Sequence, residues 1–400
     1  MSETLKKSLG TPLLTLYGIG IMVGAGIYVL VGHAAGAAGI WAPVAFLVAG
    51  LIAVPSALSY AALSAAIPEA AGDSAYVEKG LRQHWLAMLV GWINIAAGVV
   101  GGAAVLRGGV GYLQALLAVP PAAAIIGLGV ALTLLAVFGV VESLTFAALL
   151  TLVEVAGLLM VGWAGAVAVP TEGWSEALAS GPPPLALAGL VAATVFAFFA
   201  FLGFDDLVNM AEEARDPVRS MPRAILVALL VTALLYALVT LAALRAVPVE
   251  ALGASERPLA LVWETTGRSS LFLSAIAVAA ALNGVLAQIV MAARVLFGLG
   301  RRAPSLTIFH RAHPRFGTPV LATLLAGAAT IAAALALPVS TLAEYTTLAL
   351  LAVFIIVNAA LIGLHRQRRA LPFAVPAYMP WLGIAGAGAL LVAHIAETLP

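Results

Sequence analysis

Eleven apolar stretches, each near the length a helix needs to cross a bilayer, follow one another with little between them. They lie near 12–33, 38–66, 85–106, 122–141, 144–168, 185–210, 222–247, 270–299, 319–337, 341–364 and 380–398. A helical crossing takes about 20 mainly apolar residues. Inside hydrocarbon every backbone polar group must find its partner within the protein, which the α-helix achieves alone. The chain therefore reads as an all-α, multi-pass membrane protein. Charged residues make up only 9% of it, against about 25% in soluble domains, which leaves little material for a soluble module. With no cysteine, disulfides, thiolate chemistry and Cys-ligated metals are excluded.

Basic residues set the orientation, because cytoplasmic loops concentrate Lys and Arg. With the N-terminus inside, Lys6, Lys7, Lys79, Arg82, Arg215, Arg219, Arg223, Arg301, Arg302, Arg311, Arg315, Arg366, Arg368 and Arg369 all fall on the cytoplasmic side. Arg245, Arg257 and Arg268 fall outside. An odd number of crossings then places the C-terminus outside, in the inner (plasma) membrane of a bacterial cell. Met1 to Gly10 is short and polar and the first apolar run continues into a full span, so no cleavable signal is expected.

Two spans contain residues that weaken a helix. The first reads Gly18-Ile-Gly20-Ile-Met-Val-Gly24-Ala-Gly26-Ile-Tyr28, and the second Phe198-Phe-Ala-Phe-Leu-Gly203-Phe-Asp205-Asp206. Interior glycine costs a helix roughly 1 kcal/mol relative to alanine. Interrupted segments at matching places in two halves point to a transporter's substrate site. Residues 1–168 form the first half (helices one to five) and 185–364 the second (helices six to ten). Residues 380–398 form an extra C-terminal helix outside that core. Five crossings per half is odd, so the halves must be inverted relative to each other.

These segments resemble the amino acid–polyamine–organocation transporter superfamily. The likeness is carried by the glycine motif Gly20 to Tyr28, by Pro68-Glu69-Ala-Ala-Gly72-Asp-Ser-Ala-Tyr76, by Phe199 to Asp205 with Glu212-Glu213-Ala-Arg215-Asp216-Pro217, and by Arg294 to Arg301. It runs from about Gly10 to Ile362. The resemblance implies the leucine-transporter fold, a 5+5 inverted repeat with discontinuous helices one and six. It implies alternating access and an amino acid substrate moved by proton symport or by exchange. Members often have twelve spans; the last two lie outside the core, and transport is expected to survive the absence of one.

An amino acid presents a carboxylate and an ammonium. The N-terminus of a half-helix offers free N–H groups and partial positive charge. The N–H groups near Gly24, Ala25 and Gly26 are expected to meet the carboxylate. Freed carbonyls near Ile21 and Met22, and near Phe199 and Ala200, are expected to face the ammonium. Gly203 marks the second break. The bland alternative is that the glycines only allow close helix packing. Phe199 and Phe201 cannot share a face of a regular helix, but an unwound segment would let one of them cover the site. The resemblance favours Phe199 as that gate, against a core or lipid-facing role.

Acids inside spans are costly and suggest function. Glu154 stands in the fifth span, where the resembled family often places a lysine. The lysine's role cannot be carried over. Glu154 can instead be a proton carrier, an oxygen ligand for sodium, a counter-charge for a cationic substrate, or a packing carboxyl. Asp205, with Asp206, either holds the helix-six break and links it to a gate or caps the lower half-helix. Asn283 and Gln288 in helix eight are expected to face the core and hydrogen-bond helix one or five, Asn283 as a coupling or gating residue, with plain interhelical contact preferred for Gln288. Arg107 and His33 read as outer-interface residues. Glu212 to Arg219 form a cytoplasmic charge cluster, either solvated or an inner gate.

The leading function is secondary active transport of amino acids, with proton-coupled uptake of neutral ones first. Exchange, or carriage of cationic amino acids or polyamines, comes second. A channel would need repeated filter carbonyls or polar rings. An enzyme would need a catalytic constellation, and neither that nor an HExxH or Walker motif occurs. No metal, cofactor or nucleic acid is expected, and the bilayer is the remaining partner.

Overall fold

The computed structural model describes residues 9–69, 72–138, 144–171, 179, 186–313, 316–368 and 370–398. Of residues 25, 144–147, 186, 212–213 and 397–398 only the backbone is described. The hairpin expected at Glu142-Ser143 and the cations Lys6, Lys7, Arg315 and Arg369 lie outside the described residues.

Among the described residues the chain is helical, and the one β-type pairing is an isolated bridge between Leu9 and Ala214. The first span is two pieces, α1 (Thr11–Val23) and α2 (Ala25–Ala38). Then come α3 (Ala42–Ala66), the short α4 (Gly72–Leu81), α5 (His84–Leu113), α6 (Pro121–Phe138) and α7 (Leu144–Val167). The second interrupted span is α8 (Ala186–Phe201) followed, after a turn, by a 3₁₀ segment at Asp206–Glu213. After it run α9 (Pro217–Ala246), α10 (Val249–Gly253), α11 (Pro258–Glu264), α12 (Leu271–Arg302), α13 (Val320–Ala336), α14 (Val339–Arg366) and α15 (Met379–Thr398). Nine described helical stretches are long and apolar enough to cross a membrane, and α1 and α13 are shorter apolar helices. The protein is thus a multi-pass α-helical membrane protein.

Local sequence explains the ends. Asp216 caps α9, its Oδ1 accepting from the Arg219 N–H at 3.3 Å, and Pro217 occupies the first turn, where its missing N–H is harmless. Arg245 in the last turn of α9 donates to the carbonyls of Ala166 (3.0 Å) and Ala168 (2.8 Å), closing the end of α7. Arg107, expected to reach for water, instead donates to the Ala334 carbonyl at 2.7 Å near the end of α13. A helix C-terminus carries partial negative charge and unpaired carbonyls, so it competes well with solvent for a guanidinium.

Outward faces are apolar: Leu51, Leu187 and Val392 are each at least 65% exposed. In a soluble protein such a surface would aggregate; here it faces lipid. Inward, α5 runs along α12 and α14, and α3 along α9. Small residues let these backbones approach, as lipid-embedded helices require. A polar knot ties α3 to α14. The Asn358 amide donates to Ser56 Oγ at 2.9 Å and to the Phe354 carbonyl at 2.7 Å, while Ser59 Oγ donates to Asn358 Oδ1 at 2.6 Å.

Candidate substrate site

The break in the first span is a single residue. Gly24 has φ −30° and ψ −171°, outside the helical region, with helix resuming at Ala25. Its own N–H still bonds to the Gly20 carbonyl at 3.1 Å, so α1 ends cleanly there. The second break begins later than expected. Phe199 and Phe201 both belong to regular helix, and the turn spans 202–205. Two residues apart at about 100° per residue, their rings must diverge. Phe199 faces the cavity, near Gly26 and Gly101. Phe201 points away and packs edge-on against Tyr236 at a centroid distance of 5.2 Å. Unwinding therefore does not bring them onto one face.

The two breaks touch. Gly203 has φ +126°, a backbone state open essentially to glycine alone. A Cβ there would stand 2.5 Å from Ile21 Cγ2. Asp205 reaches back to hold the turn, its Oδ1 accepting from the Gly203 N–H at 2.9 Å. Its carboxylate makes no side-chain cap on the 3₁₀ segment that follows.

Tyr236 of α9 supplies what sequence reasoning missed. Its hydroxyl lies 2.5 Å from the Met22 carbonyl and 2.9 Å from the Ala200 carbonyl. These are freed carbonyls of the two interrupted spans, and one buried phenol proton serves both. Met22 O and Ala200 O are thus already engaged rather than left bare for an ammonium. Ala200 is fully packed and does not line the cavity.

Between the breaks and α5, α12 and α14 lies a cavity of about 910 Å³ of empty space, counting its mouth. Ile21, Met22, Gly24, Gly26, Phe199 and Asp205 line it, and Ala25 opens α2 between the two glycines. Further polar lining comes from Asp73, Asn94, Asp206, Gln288 and Thr346, and apolar lining from Val105, Met291 and Leu350. The Asn94 amide donates to Asp73 Oδ2 at 2.8 Å, and the Gln288 amide to Asp206 Oδ2 at 3.2 Å. Asp73 is 6% exposed. Burial, then the neighbouring Asp205 charge, pushes its carboxyl up to about 7. No sequence pattern announced Asp73 as a site residue, because α4 reads as a loop after the second span.

Glu154 is elsewhere. It is buried behind α1, off the cavity wall, and neither carboxylate oxygen meets a donor in hydrogen-bonding geometry. The Asn283 amide faces it without a well-formed bond. Its main-chain carbonyl accepts from the Tyr28 hydroxyl at 3.0 Å. His33 is half-buried against Phe196 in the C-terminal half of α2. In the charge cluster at 212–219, Asp216 serves as the α9 cap and pairs loosely with Arg219, while the Glu212 and Glu213 side chains lie outside the described residues. Closer ion pairs join Glu78 to Arg302 at 2.9 Å and Glu69 to Lys79.

Two interrupted membrane helices meeting at a polar cavity define a secondary carrier. The sequence matches the family described as Amino acid permease over residues 9–399, and the chain belongs to that family. It is a transporter and not an enzyme. It is 28% identical to the branched-chain amino acid permease BcaP of Bacillus subtilis, covering 93% of this chain and 84% of that one. It is 30% identical to the methylthioribose transporter of the same organism, covering 98% and 88%. It is also 30% identical to the vacuolar cationic amino acid transporter 4 of Arabidopsis thaliana, covering 90% of this chain and 64% of that one.

Proposed function

We propose that the chain carries amino acids across the bacterial plasma membrane by alternating access, with the substrate held where the two breaks meet. The observation that carries this is the contact of Gly203 with Ile21 beside the cavity. The substrate carboxylate sits at the start of α2, on the N–H groups of Ala25 and Gly26, where the helix offers donors and positive potential; the Gly24 N–H, expected to join them, is held by the Gly20 carbonyl at 3.1 Å. Phe199 covers it. The ammonium lies toward the Ile21 carbonyl and the polar wall at Gln288 and Asp206. Residues 1–168 and 185–364 act as inverted halves.

The coupling ion in this reading is the proton, with Glu154 as its carrier. A carboxyl buried without a cation beside it must be compensated, and a proton does so at the smallest cost. Its place off the cavity wall argues against a counter-charge touching substrate. Glu154→Gln in proteoliposomes should abolish accumulation driven by a proton gradient while counterflow exchange continues. Loss of both modes in a well-folded variant would overturn the assignment.

The N-terminus is cytoplasmic. Because the chain has no cysteine, single introduced cysteines report sidedness directly. An impermeant maleimide added to whole cells should label Glu250→Cys and spare Arg301→Cys. The reverse pattern would invert the topology.

A further inference from the structure

We infer that Asp73 and Asn94 form a proton-binding site in the cavity wall, and that its proton fastens the start of α4 to α5. The Asn94 amide donates to Asp73 Oδ2 at 2.8 Å, yet Asp73 Oδ1 and Asn94 Oδ1 are both covered from solvent and have no hydrogen-bond donor. Buried acceptors are ordinarily satisfied, so each unsatisfied one calls for a physical reason. A carboxylic acid, unlike a carboxylate, carries one O–H donor. Acid and amide can then exchange two hydrogen bonds, the amide N–H to one acid oxygen and the acid O–H to the amide oxygen. One proton on Asp73 Oδ1, donated to Asn94 Oδ1, completes both groups at once. The Tyr60 hydroxyl of α3 faces the same carboxyl without a well-formed bond. It can serve Asp73 Oδ1 but leaves the Asn94 oxygen bare.

The surroundings favour a proton over any other ion. Asp205 and Asp206, at the second break, lie close enough to act on one another and on Asp73. Asp205 accepts from the Gly203 N–H and Asp206 from the Gln288 amide of α12. Tyr60 of α3 and Tyr76 of α4 face Asp73 as neutral phenols. Among the described residues lining the cavity none is Lys, Arg or His. Like charges this close disfavour full ionisation, and a proton neutralises one acid at the smallest cost. Among the described residues, no three of His, Cys, Asp or Glu converge tightly enough to hold a metal ion. The far end of α4 is anchored separately, by Glu78 with Arg302 at 2.9 Å and by the Gln367 amide on the Gly80 carbonyl at 2.9 Å. The start of α4, which places Asp73 and Ser74 in the cavity wall, is thus the end that a proton holds or releases. Its loss orphans two oxygens and sets Asp73 against two carboxylates. Glu154 lies off this wall, so the site is separate from the coupling carrier proposed there.

Infrared spectroscopy of the purified full chain reads this proton directly. A neutral-carboxyl band belonging to Asp73 should grow as pH falls, with a midpoint near neutrality, since burial and the Asp205 charge push this carboxyl up to about 7. Glu154→Gln should keep the band and Asp73→Asn should remove it. Asn94→Leu should move it to higher frequency, because the acid loses its amide partner. Hydrogen exchange of the α4 amides is the second readout, compared between proteins at one pH so that intrinsic rates cancel. Asp73→Asn offers Asn94 a permanent N–H and C=O. Above the midpoint α4 should therefore exchange several-fold more slowly in that variant than in wild type, and below it the two should match. A band that survives Asp73→Asn, or no such band at any pH at which the chain is folded, would overturn the site. So would its removal by sodium chloride at constant pH, which would make the pair a cation site, or equal α4 exchange above the midpoint. Size-exclusion profiles report folding, and the Asn94→Leu shift tests the pairing if Asp73→Asn does not fold. None of these readouts involves amino acid uptake, so the carrier reading stands or falls separately.

Discussion

One phenol does at the residue scale what no glycine can do. Breaking two helices in a membrane frees carbonyls that have no water to turn to, and Tyr236 gives one from each break the same hydroxyl. Tyr236→Phe keeps the ring packing against Phe46 and Phe201 but leaves Met22 O and Ala200 O without that donor. An unsatisfied buried group costs about 1–3 kcal/mol, so thermal unfolding in detergent should show a loss of that size and uptake should fall. Asp73 invites a second test. Burial and the Asp205 charge raise its carboxyl to about 7 in the folded protein, against an ordinary value of 3.8. The folded state then binds the proton more tightly than the unfolded one, so this group's stabilisation is full below the ordinary value and is lost as pH rises to about 7. Tyr60, Tyr76, Asp205 and Asp206 face it. Asp73→Asn should gain stability relative to wild type as pH climbs from about 4 to about 7, measured as melting temperature in a pH series. A constant offset across that window would refute the assignment.

At the scale of elements, the two interrupted spans are built differently. The first turns on Gly24, whose φ is negative and whose added Cβ would meet nothing closer than the Ile21 carbonyl at 3.4 Å. The second turns on Gly203, which has a positive φ and lies against Ile21. Gly203→Ala meets strain and collision together, of order 1–3 kcal/mol for the backbone alone. It should lower uptake more than tenfold, whereas Gly24→Ala should be the milder of the two in the same assay. Equal effects would mean that the breaks do not depend on this contact. The presence of both weak points was legible in the sequence, because glycine and aspartate weaken a helix wherever they fall inside an apolar run. The start of the second was not: Phe199 and Phe201 remain helical because α8 is packed against α2 and α3 up to its last turn, and packing overrides the local preference for unwinding.

Across the whole molecule, the C-terminal helix is more than an appendage. α15 packs against α3 and α14. Gly383 lies against the Asn358 knot, where an added Cβ would stand 2.5 Å from Oδ1. His394 meets Glu344 of α14 at 2.8 Å, both partly shielded. Among the described residues, none of the cavity lining comes from α15. Gly383→Leu should therefore lower the melting temperature by several degrees, as overpacking costs about 1–3 kcal/mol, while substrate Kd stays within about twofold. A change in Kd without a change in stability would assign α15 a role in the site.

The sequence by itself determined the class of the protein: apolar runs of bilayer length admit only helices, charge scarcity excludes a soluble module, and misplaced glycines mark where two helices fail. These are local consequences of covalent structure and solvent, so they can be read one segment at a time. Only the tertiary structure decided which freed groups stay free. Tyr236 lies 214 residues from Met22, and Asp73 reaches the cavity from a helix whose own sequence gives no hint of it. Whether a buried oxygen has a partner depends on what distant segments bring to it, and hydrogen bonds and charges act over a few ångströms of space rather than along the chain.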